Sequence, residues 1–525
     1  MAPLNGWFVV WCLLLMVGTQ EALEPQLKDY WYKLAQEELK KALNTKPNTN
    51  VAKNVILFLG DGMGVSTLTA ARIYKGQQAG RPGEEGTLAF ESFPHAGLAK
   101  TYNTDRQTAD SAGTATAFLC GAKTKSGLIG LDDRAVRGNC SSEKGGAISS
   151  ILKWSNSEGK STGVVSTARV THATPASGYA HSADRNWEAD ADMPESARTG
   201  CSDIAAQLVG EDGSFLNVIL GGGRSKFLPN TTADPEWPGK NGSRVDGRNL
   251  IEDWSKSKKE PSRARYVWNL DGFKAVDPIG TDYLLGLFEP SHMQYELDRN
   301  KAKEPSLAEM TEKAIKMLRK NPKGFFLLVE GGRIDHGHHN STAHKALADT
   351  IAMDKAVTKA LELTDTEDTL IVVTADHSHV FTIGGYASRG NNILGITDKD
   401  KDKNGTAYTS LLYANGPGYE APRPDPAPIN TNDSGYQFQS AVQLDSETHG
   451  GEDVAIYATG PMSHLFHSLH EQHYIAHMMA YASCVGQNKD HCKEKSAGGA
   501  MGLIVAANER LWVLIFVAAC AMLAR

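Results

Sequence analysis

Phe325-Phe-Leu-Leu-Val329 runs directly into Glu330-Gly-Gly-Arg-Ile-Asp335-His-Gly-His-His339, and the rest of the chain is organised around this stretch. The apolar run is typical of a buried strand. Asp335 and His339 stand four residues apart, so on a helix they would share one face and could bind one cation. Glu330 lies at the end of the strand, where it could serve a neighbouring ion. The alternative is a polar turn leading into a solvated helix.

Further apolar runs, at residues 54–59, 163–166, 216–220 and 369–373, alternate with helical patterns. This order predicts an α/β fold whose mainly parallel central sheet is covered by helices on both faces. Ligands of such sheets bind outside the carboxyl ends of the strands. Asp61, Glu330, Asp376 and His377 all come at the ends of such runs. We therefore expect these side chains to meet at one edge of the sheet.

Length and charge exclude several classes of function. The chain has 525 residues, a net charge of −7 and a pI near 6.2, with no dense basic stripe, so we expect no nucleic-acid partner. The length favours one large domain with appendages. The turn Gly60-Asp61-Gly62-Met63-Gly64 does not have the G-x-G-x-x-G spacing, and Asp61 would repel a pyrophosphate, so a dinucleotide site is not predicted.

Three other motifs carry chemistry. Asp110-Ser111-Ala-Gly-Thr places Ser111 at or near a helix N-terminus, where backbone N–H groups favour a bound anion. An isolated serine there is more often an ordinary N-cap. Asp376-His377 joins a carboxylate to an imidazole at a strand end, which suits zinc. His449 lies beside glycines that allow close backbone approach.

The connection after residues 163–166 carries His172, Thr174 and Arg185. The planar guanidinium of Arg185 could bind two phosphate oxygens at once. Each of these residues is a weak signal when taken alone.

Four histidines recur at three-residue spacing near the C-terminus, and a metal-binding stripe is one interpretation: His464, His467, His470 and His473. Leu465, Phe466 and Leu469 share the segment, which we predict to be a helix. We therefore interpret these histidines as packing residues.

The two ends of the chain are apolar for different reasons. Residues 7–17 form a short run typical of a secretory signal, although it lacks a positive n-region. Residues 511–524 form a second short run after a small-residue patch and a spacer, the pattern of a glycosylphosphatidylinositol (GPI) anchor signal. A tail-anchored helix is the alternative, but the run is short for a membrane span.

Six Asn-x-Ser/Thr sequons support secretion; they begin at Asn139, Asn230, Asn241, Asn340, Asn404 and Asn432. A glycan on Asn340 would crowd His339. Cys12 and Cys520 lie in segments expected to be removed, and five cysteines remain, so one thiol should stay free. Cys484 and Cys492 could close a short loop and Cys140 and Cys201 a longer one, while Cys120 lies in an apolar helical pattern.

Five motifs together resemble the vertebrate alkaline phosphatases, more closely the tissue-nonspecific form than the intestinal or placental forms. They occupy residues 60–64, 110–116, 330–339, 374–379 and 447–453, and the resemblance runs from about residue 28 to 492.

The resemblance implies the following metal sites. One zinc ion is implied on Asp335, His339 and His449, and a second on Asp61, Asp376 and His377 with Ser111 beside it. A magnesium ion is implied on Asp61, Thr174 and Glu330. A calcium ion is implied on Glu236, the Phe288 carbonyl, Glu289 and Glu304, where the family has aspartate at the last position. Arg185 matches the phosphate-binding arginine. His172 stands two residues before Thr174, close enough to contact the magnesium site or its water shell, and His336 adjoins Asp335 of the first zinc site; at both positions the chain follows the animal pattern.

The resemblance also implies the organisation of the chain. Disulfides are implied between Cys140 and Cys201 and between Cys484 and Cys492, with Cys120 free. The implied segments are a signal at 1–21, an arm helix at 22–50, the α/β domain at 51–383 and 444–495, a crown-like insertion at 384–443, and a cleaved anchor tail at 500–525. A homodimer on the outer face of the plasma membrane is expected.

The predicted function is metal-dependent hydrolysis of phosphate monoesters. Two zinc ions about 4 Å apart can stabilise the attacking and leaving oxygens of an in-line displacement. Ser111 would take the phosphoryl group as a phosphoserine. A phosphodiesterase or sulfatase of the same superfamily is the alternative enzyme, and a lipid-anchored binding protein with structural metals is the alternative outside enzymes.

Overall fold

The computed structural model describes residues 26–258 and 263–492. The predicted signal at 1–21 and anchor tail at 500–525 therefore lie outside the described residues. The chain forms two compact units, residues 1–46 and residues 47–525. In the first unit, helix α1 (Lys28–Asn44) lies within the segment expected to form the arm helix at 22–50, and none of its side chains is buried.

The described part of the second unit contains helices and strands in alternation. Its helices are α2 (Val65–Gln78), α3 (Ser111–Cys120), α4 (Ile151–Ser157), α5 (Ala173–Ala176), α6 (Glu195–Arg198), α7 (Ile204–Val209), α8 (Leu250–Ser257), α9 (Leu270–Ala275), α10 (Leu307–Leu318), α11 (Arg333–His339), α12 (Ala343–Leu363) and α13 (Tyr474–Ser483). Its strands are β1 (Asn54–Gly60), β2 (His95–Lys100), β3 (Ser161–Arg169), β4 (Val218–Gly222), β5 (Ala264–Val267), β6 (Tyr283–Leu287), β7 (Phe325–Gly331), β8 (Thr369–Ala375), β9 (Ser378–His379), β10 (Phe381–Ile383), β11 (Leu411–Gly416), β12 (Ser440–Gln443), β13 (His449–Gly450), β14 (Val454–Thr459) and β15 (Ser468–Glu471).

Among the described residues, one sheet of ten strands organises this unit. Its order is β15-β2-β14-β8-β1-β7-β3-β4-β6-β5. From β8 to β5 all neighbours are parallel, whereas β14 runs antiparallel to β8 and β2. The mainly parallel sheet predicted from the alternating pattern is confirmed.

Helices cover both faces of the central strands. Every residue of β1, β7 and β8 is buried, and successive side chains of a strand point to opposite faces. Helices α2, α10, α11 and α12 pack together as one group, and α3, α4, α5 and α13 as another; both groups contact the central strands. Each large apolar side chain buried here contributes roughly 1.5–3 kcal/mol.

A smaller sheet joins β10, which lies just before the predicted insertion at 384–443, to β11 and β12 inside it. Phe381 of β10, together with Leu411 and Phe438 of the insertion, belongs to an apolar cluster with Ile73 of α2 and Leu347 of α12. The limits of the insertion stay a prediction.

The helix predicted across the four C-terminal histidines is wrong. Residues Ser463–Phe466 form a 3-10 turn, Ser468–Glu471 form the edge strand β15, and the helix α13 begins only at Tyr474. Strand β15 pairs in parallel with β2, with Leu469 opposite Leu98. Pairing along this edge overrides the helical spacing of the apolar residues, as tertiary context often does.

Both expected disulfides are present. Cys140 is bonded to Cys201 and Cys484 to Cys492, and Cys120 is a buried free thiol. Within residues 26–258 and 263–492, no helix has the length and apolar character needed to cross a bilayer.

Candidate metal and phosphate site

The predicted ligands meet at the carboxyl ends of three neighbouring strands. Asp61 follows β1, Glu330 lies near the end of β7, and Asp376 follows β8. Gly60 is in register with Ala375, so Asp61 and Asp376 emerge at one level, while Glu330 is in register with Leu59, two residues before Asp61. All three side chains are fully buried. The expectation that these residues converge is confirmed.

Asp61, Asp376 and His377 form one cluster beside Ser111. His377 Nε2 lies 3.0 Å from Asp376 Oδ2 and 3.6 Å from Asp61 Oδ1. Ser111 Oγ is 3.2 Å from the same nitrogen. Ligand atoms of tetrahedral zinc are about 3.4 Å apart when the bonds are about 2.0–2.1 Å. The spacing of this cluster therefore fits a zinc ion.

Asp335, His339 and His449 form a second cluster. Asp335 Oδ1 is 3.3 Å from the Nε2 atoms of both His339 and His449, and these two nitrogens are 3.1 Å apart. Helix α11 presents Asp335 and His339 four residues apart on one face, as the sequence predicts. The antiparallel pairing of β13 with β9 brings His449 to them. This spacing also fits tetrahedral zinc.

A third group presents oxygen atoms that lack partners. Both carboxylate oxygens of Asp61, Oε1 of Glu330 and Oγ1 of Thr174 are buried without a hydrogen bond to any described residue. Ser166 Oγ donates to the other Glu330 oxygen, Oε2. Buried polar atoms of native proteins are rarely left unsatisfied. Because the unsatisfied atoms of these three residues are all oxygen, they fit a hard cation such as magnesium.

Histidine residues surround this third group. His172 lies within ligand distance of Asp61 and Glu330. The rings of His172 and His336 are 5.6 Å apart, and His292 lies 5.4 Å from the first and 4.1 Å from the second. Burial lowers the pKa of His336 to about 3 and that of His172 well below its ordinary value, with Arg185 adding to the second effect. Burial and the neighbouring His336 also lower the pKa of His292, so the neutral form of all three imidazoles is favoured.

The buried carboxylates repel one another strongly. Burial raises the pKa of Asp61 well above its ordinary range, and the charges of Asp376 and Asp335 raise it further. Burial also raises the pKa of Glu330 to about 7. Cations bound in such a cluster reverse these shifts, because their charge favours the ionised carboxylates. The electrostatics therefore match a site built for divalent cations.

Ser111 begins helix α3, and its neighbour Asp110 caps the helix by accepting a hydrogen bond from the Gly113 N–H. Ser111 is thus placed where unpaired N–H groups and the helix dipole favour an anion. Arg185 lies close by, with Nη1 donating to Asp110 Oδ2 at 3.1 Å and Nη2 lying 3.1 Å from His172 Nε2. Arg185 and Ser111 are thereby linked through Asp110.

Asp110 holds Arg185 in place, although the sequence indicated it only as part of a motif. Burial opposes its ionisation, but Arg185 and the N–H groups of Gly127 and Gly113 outweigh burial and lower its pKa to about 2. Asn103 Nδ2 donates to the same carboxylate at 3.0 Å. Asp110 is therefore a fixed negative charge that holds Arg185.

His379 and Glu447 also join the site without having been predicted. His379 Nε2 lies 2.8 Å from Asp335 Oδ1, and its Nδ1 contacts Glu447 Oε2. Imidazole and carboxylate partners of this kind orient metal ligands. Both residues lie inside the motifs at 374–379 and 447–453, and this position is the signal in the sequence that could have identified them. His292 lies in no recognised motif, so the sequence contains no such signal for it.

The implied calcium ligands line a separate cavity of about 220 Å³, except Phe288. Its lining includes Glu236, Glu289 and Glu304; Phe288, which directly precedes Glu289, has a buried side chain. Burial and the charge of Glu289 raise the pKa of Glu304 to about 8. Trp237 Nε1 donates to Glu289 Oε2 at 2.8 Å. Burial and the charge of Glu289 also raise the pKa of Glu236, and repulsion of Glu289 with Glu236 and Glu304 fits a cation, with glutamate in place of the aspartate expected at 304.

A family model described as alkaline phosphatase matches residues 52–485. The chain belongs to the alkaline phosphatase family. It is 52% identical over 500 residues to the tissue-nonspecific alkaline phosphatase of Felis catus, covering 93% of this chain and 95% of the cat enzyme. It is 51% identical over 502 residues to the same isozyme of Homo sapiens, covering 93% and 96% of the two chains.

An alkaline phosphatase of Gadus morhua is 52% identical over 474 residues, covering 89% of this chain and 99% of the cod enzyme. Solved structures agree in fold. The alkaline phosphatase of the Antarctic bacterium TAB5 matches with a TM-score of 0.59 at 24% identity, covering 84% of this chain and 100% of that one. The Thermus thermophilus enzyme matches with a TM-score of 0.60 at 23% identity, covering 84% and 93%.

Membership of the alkaline phosphatases makes this protein a phosphomonoester hydrolase of a metal-dependent family. The predicted family and the predicted enzyme class are confirmed. The described residues supply five groups of side chains spaced to hold a metal ion, and four of them lie at this site. The fifth is Cys484, His491 and Cys492, whose cysteines are joined in a disulfide.

Proposed function

We propose that the protein hydrolyses phosphate monoesters through a phosphoserine at Ser111, on the outer surface of the cell. The observation that carries the proposal is the position of Ser111 Oγ, 3.2 Å from His377 Nε2, at the start of a helix and beside two clusters of metal-ligand spacing. Its hydroxyl therefore borders both the cation sites and the anion-binding end of the helix.

The proposed ions are held by the side chains described above. Zinc would be held by Asp335, His339 and His449 and by Asp61, Asp376 and His377; magnesium by Asp61, Thr174 and Glu330; and calcium by Glu236, Phe288, Glu289 and Glu304. When bound, the two zinc ions would supply Lewis-acid charge that favours the attacking and leaving oxygens.

The residues of the chain perform the remaining steps. Ser111 Oγ loses its proton and forms a bond to phosphorus while the bond from phosphorus to the leaving-group oxygen breaks, and that oxygen takes up a proton and departs as the alcohol. Arg185, held by Asp110, neutralises the phosphoryl oxygens, and the N-terminus of α3 adds N–H donors. Water then attacks phosphorus from the side that the alcohol has left and releases Ser111 with inorganic phosphate.

We also propose that the protein is secreted, glycosylated and attached to the plasma membrane by a GPI anchor that replaces the tail at 500–525. The asparagine of each of the six sequons is exposed, including Asn340, which lies beside His339. Two disulfides are consistent with an oxidising compartment. The short apolar run at 511–524 supports a glycolipid anchor.

A homodimer completes the proposal. Helix α1 exposes Tyr30, Trp31, Tyr32, Leu39 and Leu43. Exposed apolar side chains of this kind mark interaction surfaces. The arm at 22–50 is therefore proposed to contact the partner subunit, and the insertion at 384–443 is proposed as the crown.

The proposal is tested with purified protein and three substrates: p-nitrophenyl phosphate, bis-p-nitrophenyl phosphate and p-nitrophenyl sulfate. We expect fast hydrolysis of the monoester, loss of activity on chelation and recovery with zinc and magnesium. Ser111→Ala should be inactive, while Ser157→Ala, an exposed serine on α4, should match the wild type. Preference for the diester or the sulfate would favour the alternative enzyme classes and refute the proposal.

A further inference from the structure

The sequon that begins at Asn139 encloses a disulfide cysteine. Its three residues are Asn139-Cys140-Ser141, and the other five sequons contain no cysteine. Cys140 is bonded to Cys201, 61 residues further along the chain. A glycan on Asn139 and the disulfide at Cys140 must therefore be made on adjacent residues.

In the folded protein the two modifications are compatible. Asn139 is exposed and caps the 3-10 turn Cys140–Glu143. Its Oδ1 accepts hydrogen bonds from Ser141 N at 3.1 Å and Ser141 Oγ at 2.8 Å. No hydrogen bond within the described ranges uses its Nδ2, so a sugar there would replace one amide proton and leave the capping oxygen intact.

Closure of the disulfide nevertheless removes the tripeptide from reach of a glycosyl transferase. The bond ties Cys140 to the segment after α6, and both cysteines pack against a buried cluster that contains Leu131, Trp187 and Ala197. The Ser141 hydroxyl is occupied by Asn139 Oδ1. A transferase that recognises Asn-x-Ser must bind this hydroxyl and the asparagine in its own active site. The tripeptide must therefore be free of the turn when the glycan is added.

Because the chain is synthesised from its N-terminus, the sequon emerges before Cys201 does. Chains are made at about 5–20 residues per second, so Asn139 and Cys140 emerge about 3–12 s before Cys201. Disulfide formation takes seconds to hours, depending on oxidant and isomerase. Glycan addition and disulfide closure therefore overlap in time.

We propose that Asn139 is an N-glycosylation site whose modification competes with closure of the Cys140–Cys201 disulfide, which rests on the proposed passage through the secretory pathway. In glycosylation, Nδ2 bonds to C1 of the first sugar of a lipid-linked oligosaccharide diphosphate. The bond from C1 to the diphosphate oxygen breaks, and Nδ2 loses a proton. In closure, the two thiols pass two electrons and two protons to a disulfide oxidoreductase, whose disulfide becomes a dithiol.

The test measures the occupied fraction of two sequons by mass spectrometry after enzymatic removal of the glycan. The full chain is expressed in secreting eukaryotic cells, and total cell protein is analysed so that misfolded chains are included. Cys201→Ser prevents closure but keeps the tripeptide intact. Cys484→Ser removes the other disulfide and is the matched control. Asn404, which is exposed and has no cysteine in its sequon, is the internal reference.

We expect partial occupancy of Asn139 in the wild type and a rise to the fraction found at Asn404 in Cys201→Ser. A thiol reductant present during synthesis of the wild-type chain should give the same rise, while Cys484→Ser should not. Equal occupancy of Asn139 with and without Cys201, or an equal rise in the control, overturns the competition. If no sequon is modified, Asn404 included, the proposed passage through the secretory pathway is refuted. If Asn404 is modified and the occupancy of Asn139 does not depend on Cys201, only the inference about Asn139 is refuted.

Discussion

Replacing Asp110 with asparagine removes the charge that holds Arg185 but keeps the shape of the side chain. Arg185, Gly127, Gly113 and Asn103 all donate to the Asp110 carboxylate, at 3.0 to 3.2 Å. The pKa of Asp110 falls from its ordinary 3.8 to about 2. At about 1.4 kcal/mol per unit, this shift corresponds to roughly 2 kcal/mol of stability at pH 7. Because the amide retains one acceptor oxygen, we expect Asp110→Asn to lose about 1–2 kcal/mol.

The sign of the pH dependence follows from the direction of the shift. A carboxyl whose pKa is lowered by folding stabilises the folded state above its unfolded pKa, and this contribution is lost as the pH falls through the folded pKa. The difference in unfolding free energy between wild type and Asp110→Asn should therefore be full at pH 7 and fall to about half at pH 3.

The assay is equilibrium unfolding in urea, followed by tryptophan fluorescence, on chelated protein at both pH values. Chelation keeps acid release of metal ions from contributing to the comparison. A variant as stable as the wild type at pH 7, or equally destabilised at pH 7 and pH 3, would refute the role of Asp110 as a charged anchor.

Three further predictions concern the proposed site and anchor. Ser111→Ala should lower turnover of p-nitrophenyl phosphate by several orders of magnitude with unchanged metal content, since it removes only the nucleophile; near-normal rates would contradict this. His172→Asp should raise the affinity for magnesium and relieve inhibition by excess zinc, because a carboxylate replaces an imidazole nitrogen beside Asp61 and Glu330. Unchanged metal titrations would show that His172 does not influence metal binding at this site. Phosphatidylinositol-specific phospholipase C should release activity from cells, and release by detergent alone would favour a spanning helix.

The edge of the sheet could be predicted because each central strand is apolar throughout and ends in a ligand residue. Asp61, Glu330 and Asp376 follow such runs, and parallel strands bring their carboxyl ends together. The shared helical face of Asp335 and His339 could also be predicted, because the two residues are four apart in the sequence. These parts of the site depend only on local pattern and on one general rule of α/β folds.

The remaining contacts depend on tertiary structure that carries little local signal. Arg185 meets Asp110 across 75 residues of sequence. His379 meets Glu447 through β9 and β13, which are two residues each and too short to show an alternating pattern. The spacing of the apolar residues around His467 indicated a helix, yet edge pairing with β2 made part of the segment a strand.

The most direct test of the proposed mechanism is to trap the phosphorylated enzyme. The metal-loaded protein is mixed with a phosphomonoester that carries labelled phosphate, quenched in acid and digested, and the labelled peptide is sequenced by mass spectrometry. We predict that the label lies on Ser111 and is absent from Ser111→Ala. Turnover without any labelled protein, or a label on another residue, would contradict the central claim that Ser111 is the nucleophile.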